Sequence, residues 1–136
     1  MNQAIRYLEW CVADRGSNVD PAILNYLVSL YAKLPDDSAL MTFLQRQGDT
    51  PLYDRKYALR LCIQEGKKRA CVIIYSSMHL YAEAVELALT VDLELAMEHA
   101  MPEDSELRKK LWLRIARHVV KEERDISKFV RAGPLM

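Results

Sequence analysis

Apolar residues recur along this chain at helical spacing, and short polar or glycine-bearing breaks divide them into segments. Within Leu80 to Val91, the residues Leu80, Ala84, Leu87, Ala88 and Val91 stand at i, i+4, i+7, i+8 and i+11, one face of a 3.6-residue period. Tyr81 and Val85 lie off that face, so the segment is apolar on more than one side. Neighbours on more than one side are therefore expected, as for the inner helices of a solenoid.

The same pattern runs the length of the chain. Asn2 to Asp14 reads as a helix with Ile5, Leu8 and Val12 along one side, Tyr7 and Cys11 beside them, and Gly16 as its stop. Asp20-Pro21 is a start signal, a cap followed by proline at the first helical position, and Ile23, Leu24, Leu27, Leu30 and Tyr31 follow as a buried face. Pro35 breaks that helix, and Ser38 to Gln47 forms a shorter one carrying Leu40, Met41, Phe43 and Leu44, closed by Gly48. After the Gly-Asp-Thr-Pro loop, Asp54 caps a helix bearing Ala58, Leu61 and Cys62, which Gly66 ends. Lys67-Lys68-Arg69 opens the next, with Ala70, Cys71, Ile73 and Ile74, and Ser76-Ser77-Met78-His79 turns the chain into the Leu80 helix. Asp92 caps a short helix with Leu93, Leu95 and Ala96. The last helix carries Leu107, Leu111, Trp112, Ile115, Ala116 and Val119 as an apolar stripe, with Glu103, Asp104 and Glu106 at the positive end of its dipole. Past Asp125 the pattern weakens, and residues 126–136 are expected to be a loosely ordered tail.

About eight helices with short connections predict an all-α fold, an α-solenoid of antiparallel helical hairpins. A degenerate repeat supports it: Ala58-Leu59-Arg60-Leu61-Cys62 and Ala84-Val85-Glu86-Leu87-Ala88 occupy equivalent places 26 positions apart. Scarcity of Gly and Pro, at 4 and 5 residues, favours helices over a turn-rich sheet protein. The charges balance, 19 basic against 19 acidic, so no net field draws nucleic acid or anionic membrane. No apolar run is long enough to span a bilayer, and the first residues lack the pattern of a secretion signal. Three cysteines, Cys11, Cys62 and Cys71, fit a reduced, cytosolic compartment.

The candidate chemistry is sparse. The cysteines and His79, His99 and His118 lack the paired close spacing of a structural zinc site, so no metal ligand is assigned. Cys62 and Cys71 fall on apolar faces, where a thiol is unreactive, so no catalytic residue is assigned either. No glycine-rich phosphate loop is present, and no cofactor is expected. The feature that stands out is a basic stripe on the last helix: Lys110, Arg114, Arg117 and Lys121 at i, i+4, i+7 and i+11. It is a solvated face, partly neutralised by Glu106 four residues before Lys110, or a docking surface for an acidic helix of a partner. No aromatic residue interleaves with these positions to stack on bases, which disfavours nucleic acid. Tyr7, Trp10, Tyr53 and Tyr81 are further interface candidates if exposed.

The central run KKRACVIIY, then YAEAVELAL, then VDLELA, resembles the clathrin heavy-chain repeat. With QAIRYLEWCV, DRKYALRLC and ELRKKLWLRIARHVV the likeness extends from Gln3 to Asp125 and narrows to the class C vacuolar protein sorting subunits. That resemblance implies a non-catalytic scaffold of the HOPS and CORVET complexes, which tether endosomes, lysosomes and vacuoles before fusion. It implies other class C, HOPS and CORVET subunits as partners, a cytoplasmic location peripheral to late endosome, lysosome or vacuole membranes, and membrane contact only through the complex. The family also carries a β-propeller and a zinc-binding RING domain, and no Cys-x-x-Cys occurs in these residues. Residues 1–125 are therefore expected to be a solenoid segment of a longer protein, to which neither zinc binding nor ubiquitin transfer attaches. Self-association of the isolated segment is expected through apolar faces that neighbouring hairpins would cover. The competing class is a helical-repeat RNA-binding or other adaptor module, which for RNA would need a basic groove and one repeated polar readout position per hairpin.

Overall fold

The computed structural model describes residues 2–48 and 51–132. Among them the backbone forms eight α-helices and one 3-10 turn, and no strand. Two compact units divide the chain between Leu80 and Tyr81.

The first unit holds α1 (Asn2–Arg15), α2 (Pro21–Lys33), α3 (Ser38–Gln47), α4 (Arg55–Gln64) and α5 (Lys68–Ser77). Its start signals work as chemistry. The Asp20 carboxylate accepts from the Ala22 amide at 2.9 Å and the Asp54 carboxylate from the Tyr57 amide at 3.2 Å, each satisfying a donor that the first turn leaves open. Helix α2 packs against α1, α3 and α4, and α5 against α3 and α4. Its buried side chains are Leu24, Leu27, Val28, Tyr31 and Ala32. Leu24, Leu27 and Tyr31 were expected there; Val28 and Ala32 join them, whereas Ile23 and Leu30 are only half-buried. An aromatic chain crosses the unit, Tyr31 to Phe43 at 5.7 Å and Phe43 to Tyr53 at 5.9 Å between ring centroids. Tyr53 is thus a core residue and not an exposed interface aromatic, because the loop before α4 folds it inward.

Polar side chains tie these helices over long stretches of sequence. The Lys67 ammonium donates to the Leu34 carbonyl at 2.7 Å and to the Asp37 carboxylate at 2.8 Å, fastening the start of α5 to the α2–α3 turn. Its side chain is only 12% exposed, so this lysine is a part-buried clamp. Arg55 donates to the Ser77 carbonyl at 2.8 Å, and the Asp54 amide donates to the Asn25 side chain at 2.7 Å.

The second unit holds α6 (Tyr81–Leu89), α7 (Leu93–His99) and α8 (Ser105–Ala132), each packed on the other two. Asp92 caps α7 by accepting from the Glu94 amide at 3.2 Å. The α6 face differs from expectation at its start: Leu80 is exposed and lies before the helix. His79, at φ 61°, turns the chain left-handed, and the Leu80 amide closes the end of α5 by donating to the Tyr75 carbonyl at 2.9 Å. Leu93 and Ala116 also stand exposed, although both were expected on buried faces. Backbone 126–132, expected to belong to a loose tail, continues α8; residues 133–136, and Asp49 and Thr50 of the Gly-Asp-Thr-Pro loop, lie outside the described residues.

The repeat seen in the sequence is a repeat of burial. Ala58 and Cys62 on α4 match Ala84 and Ala88 on α6, and the register extends through the second helix of each hairpin, where Ala70 and Ile74 on α5 match Ala96 on α7 and Ala100 at its C-terminal cap. All eight are buried. Small residues at i and i+4 on α4 and α6 favour close approach of the helix packed on each.

Candidate interaction surface

Helix α8 buries Leu111 and Ile115 and half-buries Leu107, Trp112 and Val119. At 100° per residue the basic stripe falls on the other side, and Lys110, Arg114, Arg117 and Lys121 are all exposed. Arg114 reaches across to α6 and pairs with the Glu86 carboxylate; the two side chains are 48% and 60% exposed, so the pair is screened and weak. Glu106 meets Lys109 at 3.9 Å, not Lys110 as the four-residue spacing suggested, because the three-residue neighbour lies as close on a helix surface. His118 Nε2 lies 3.2 Å from the Glu122 carboxylate one turn on. Tyr81 is half-buried at the first position of α6, on a different helix from the stripe, and engages a partner within the fold.

Elsewhere the exposed large apolar residues include Tyr7 and Trp10 on α1, whose rings stack at 6.4 Å between centroids with an interplanar angle of 28°. Sequence reading named both, but it missed Tyr26 on α2 and Leu113 and Val120 on α8, which are exposed as well.

The interior offers little for chemistry. No polar or charged residue among those described is buried, and no buried side-chain nitrogen or oxygen lacks a hydrogen-bond partner. No three His, Cys, Asp or Glu side chains among the described residues stand close enough together to share a metal ion. Cys62 and Cys71 are buried and meet between α4 and α5; the hydrogen bond that Cys62 donates to Cys71, and then burial, push the Cys62 thiol well up, so it stays protonated. A groove of about 630 Å³ runs between α1 and α3 over the α2 floor of Leu27 and Tyr31. Its polar members are Glu9, Ser38, Thr42, Arg46 and Gln47. Burial raises the Tyr31 phenol, and its hydrogen bond donated to Glu9 adds to that. The groove therefore presents a protonated phenol and an occupied carboxylate. No described helix is long and apolar enough to cross a membrane.

These features define a segment of helical-hairpin solenoid whose variety lies on its surface. Residues 1–120 match the family model described as VPS18, alpha-solenoid domain, second half. The chain belongs to that family. It is 53% identical over 133 residues to the vacuolar protein sorting-associated protein 18 homolog of Danio rerio and 52% identical over 136 to vacuolar sorting protein 18 of Arabidopsis thaliana. The vacuolar membrane protein pep3 of Schizosaccharomyces pombe is 38% identical over 135 residues. These alignments cover 93–96% of this chain but only 13–15% of each relative.

Proposed function

We propose that this chain is a non-catalytic scaffold segment of a class C vacuolar protein sorting subunit, working within HOPS and CORVET tethering complexes at late endosome, lysosome or vacuole membranes. It acts by protein–protein contact: the stacked hairpins hold the parts before and after them at a set distance, and exposed faces grip other subunits. The observation that carries this reading is the family match over nearly the whole chain. The basic stripe of Lys110, Arg114, Arg117 and Lys121 on α8, together with Tyr81 on α6, is the surface assigned to partner binding, and membrane contact is indirect.

Co-purification from a reconstituted class C complex tests this. The full-length protein should retain the other subunits, and Arg114→Glu with Arg117→Glu should weaken that retention. Full retention by the reversed protein would remove the stripe from the interface. No retention by the unsubstituted protein would remove the scaffold reading itself.

A further inference from the structure

Helix α8 has a second apolar line that the fold leaves uncovered. Leu113 is 52% exposed and Val120 46% exposed, seven residues apart, and Ala116 lies exposed between them. In heptad terms these are positions a, d and a, a short coiled-coil seam bounded by Lys109 and Glu123 at the d positions before and after it. One flank of the seam is cationic throughout: Lys110, Arg117 and Arg124, again seven residues apart, are all exposed. The other flank is Trp112 and Val119, half-buried and continuous with the packed side of the helix. A chain of zero net charge thus places three cations in register along one edge of an exposed apolar seam.

We infer that this face of α8 receives an amphipathic helix from a partner subunit, with aliphatic residues on its seam and Asp or Glu along the edge that meets Lys110, Arg117 and Arg124. Two-helix packing of this kind places the flanking charges opposite one another, where they select partner and orientation. A second copy of α8 is a poor occupant. In an antiparallel pair Lys110, Arg117 and Arg124 would face their own copies, and α8 carries no matching row of carboxylates at seven-residue spacing. A lipid surface fits less well too, since Lys109 and Glu123 lie in line with the seam and its opposite side is packed on α6 and α7. The choice of a sorting-complex subunit as partner rests on the function proposed above; the chemistry of the partner rests on α8 alone.

Photocrosslinking tests it. Benzoylphenylalanine replaces Leu113 or Val120 in the full-length protein, reconstituted with the other class C, HOPS and CORVET subunits. Crosslinks are expected to fall within one helical segment of another subunit that shows heptad-spaced aliphatic residues and an acidic edge. Arg117→Glu with Arg124→Glu should cut the yield by about tenfold at physiological salt. Changing the captured carboxylates to Lys should restore it. Arg60→Glu, an exposed change on α4, should leave the yield unchanged. Crosslinks to a second copy of the chain, to a segment without acidic residues, or phosphatidylserine vesicles that compete for the seam would each overturn the inference. So would normal assembly with no crosslink from either position. Failure of the unsubstituted protein to assemble would instead overturn the sorting-complex reading and the partner drawn from it.

Discussion

The two units of this chain are filled by different side chains. In residues 1–80 the wholly buried positions include Leu24, Leu27, Leu40, Leu44, Ile74, Val28 and Val72. In the second unit Val85 is the one large side chain among the described residues at that depth, and Ala84, Ala88, Ala96 and Ala100 make up the rest of its fully buried set. Polar anchoring differs in the same way. Lys67, Arg55 and Asn25 bind backbone groups or a carboxylate on distant helices of the first unit. A cross-helix ion pair of the second unit, Arg114 with Glu86, sits in solvent. Volume and polar clamps hold the first unit; close approach of alanine-lined helices holds the second. The two should therefore fail for opposite reasons.

A crossed pair of substitutions gives the largest effects. Leu44→Ala removes volume that large neighbours cannot refill and should cost about 2–5 kcal/mol. Ala88→Leu adds volume at a fully buried position of α6 and should cost about 1–3 kcal/mol. Denaturant unfolding with segment-resolved hydrogen exchange separates them: Leu44→Ala should loosen residues 1–80 first, and Ala88→Leu should loosen residues 81–124 first. Tolerance of leucine at 88 would mean that the second unit is loosely packed, and the comparison would break.

The clamps come next. Lys67→Met leaves the Leu34 carbonyl and the Asp37 carboxylate without their donor and should cost about 1–3 kcal/mol. Arg114→Gln in the second unit removes a screened pair and should cost at most about 1 kcal/mol. Equal midpoints for the two variants would erase the distinction between buried and exposed anchoring.

How much of this was legible in the sequence follows the range of each cause. The caps at Asp20, Asp54 and Asp92 are local, involve residues two or three positions apart, and form as read. The repeat of Ala58 and Cys62 with Ala84 and Ala88 was legible because burial at i and i+4 leaves a residue-size trace. The clamp role of Lys67 was not legible because its partners lie 30 and 33 residues away, beyond any local pattern. The start of α6 was misplaced by one residue because His79 takes a left-handed turn that glycine usually fills; Gly66, at φ 71°, ends α4 in that way. The Leu113–Val120 seam was hidden for a different reason. Periodicity reports that α8 has apolar positions on several sides, but only packing decides which of them a neighbour covers.

The smallest effect is a difference in pH response, and its sign follows from two groups. Burial at the end of α7 lowers the His99 pKa below 6.5, with Glu98 opposing. The folded second unit therefore binds this proton less readily than the unfolded chain does. Its stability contribution is complete above about 6.5 and falls as pH drops below that value. In the first unit, hydrogen bonds from Ser38 lower the Asp36 carboxyl below 3.8. That contribution is present above 3.8 and is lost only as pH falls through the folded value, a more acidic window. Acidification from pH 7 to pH 5 should thus loosen hydrogen exchange in residues 81–124 while residues 1–80 hold. His99→Gln should flatten that dependence, because an amide carries no titrating proton. An unchanged slope in His99→Gln would move the cause away from α7, and the two units would then have to be told apart by packing alone.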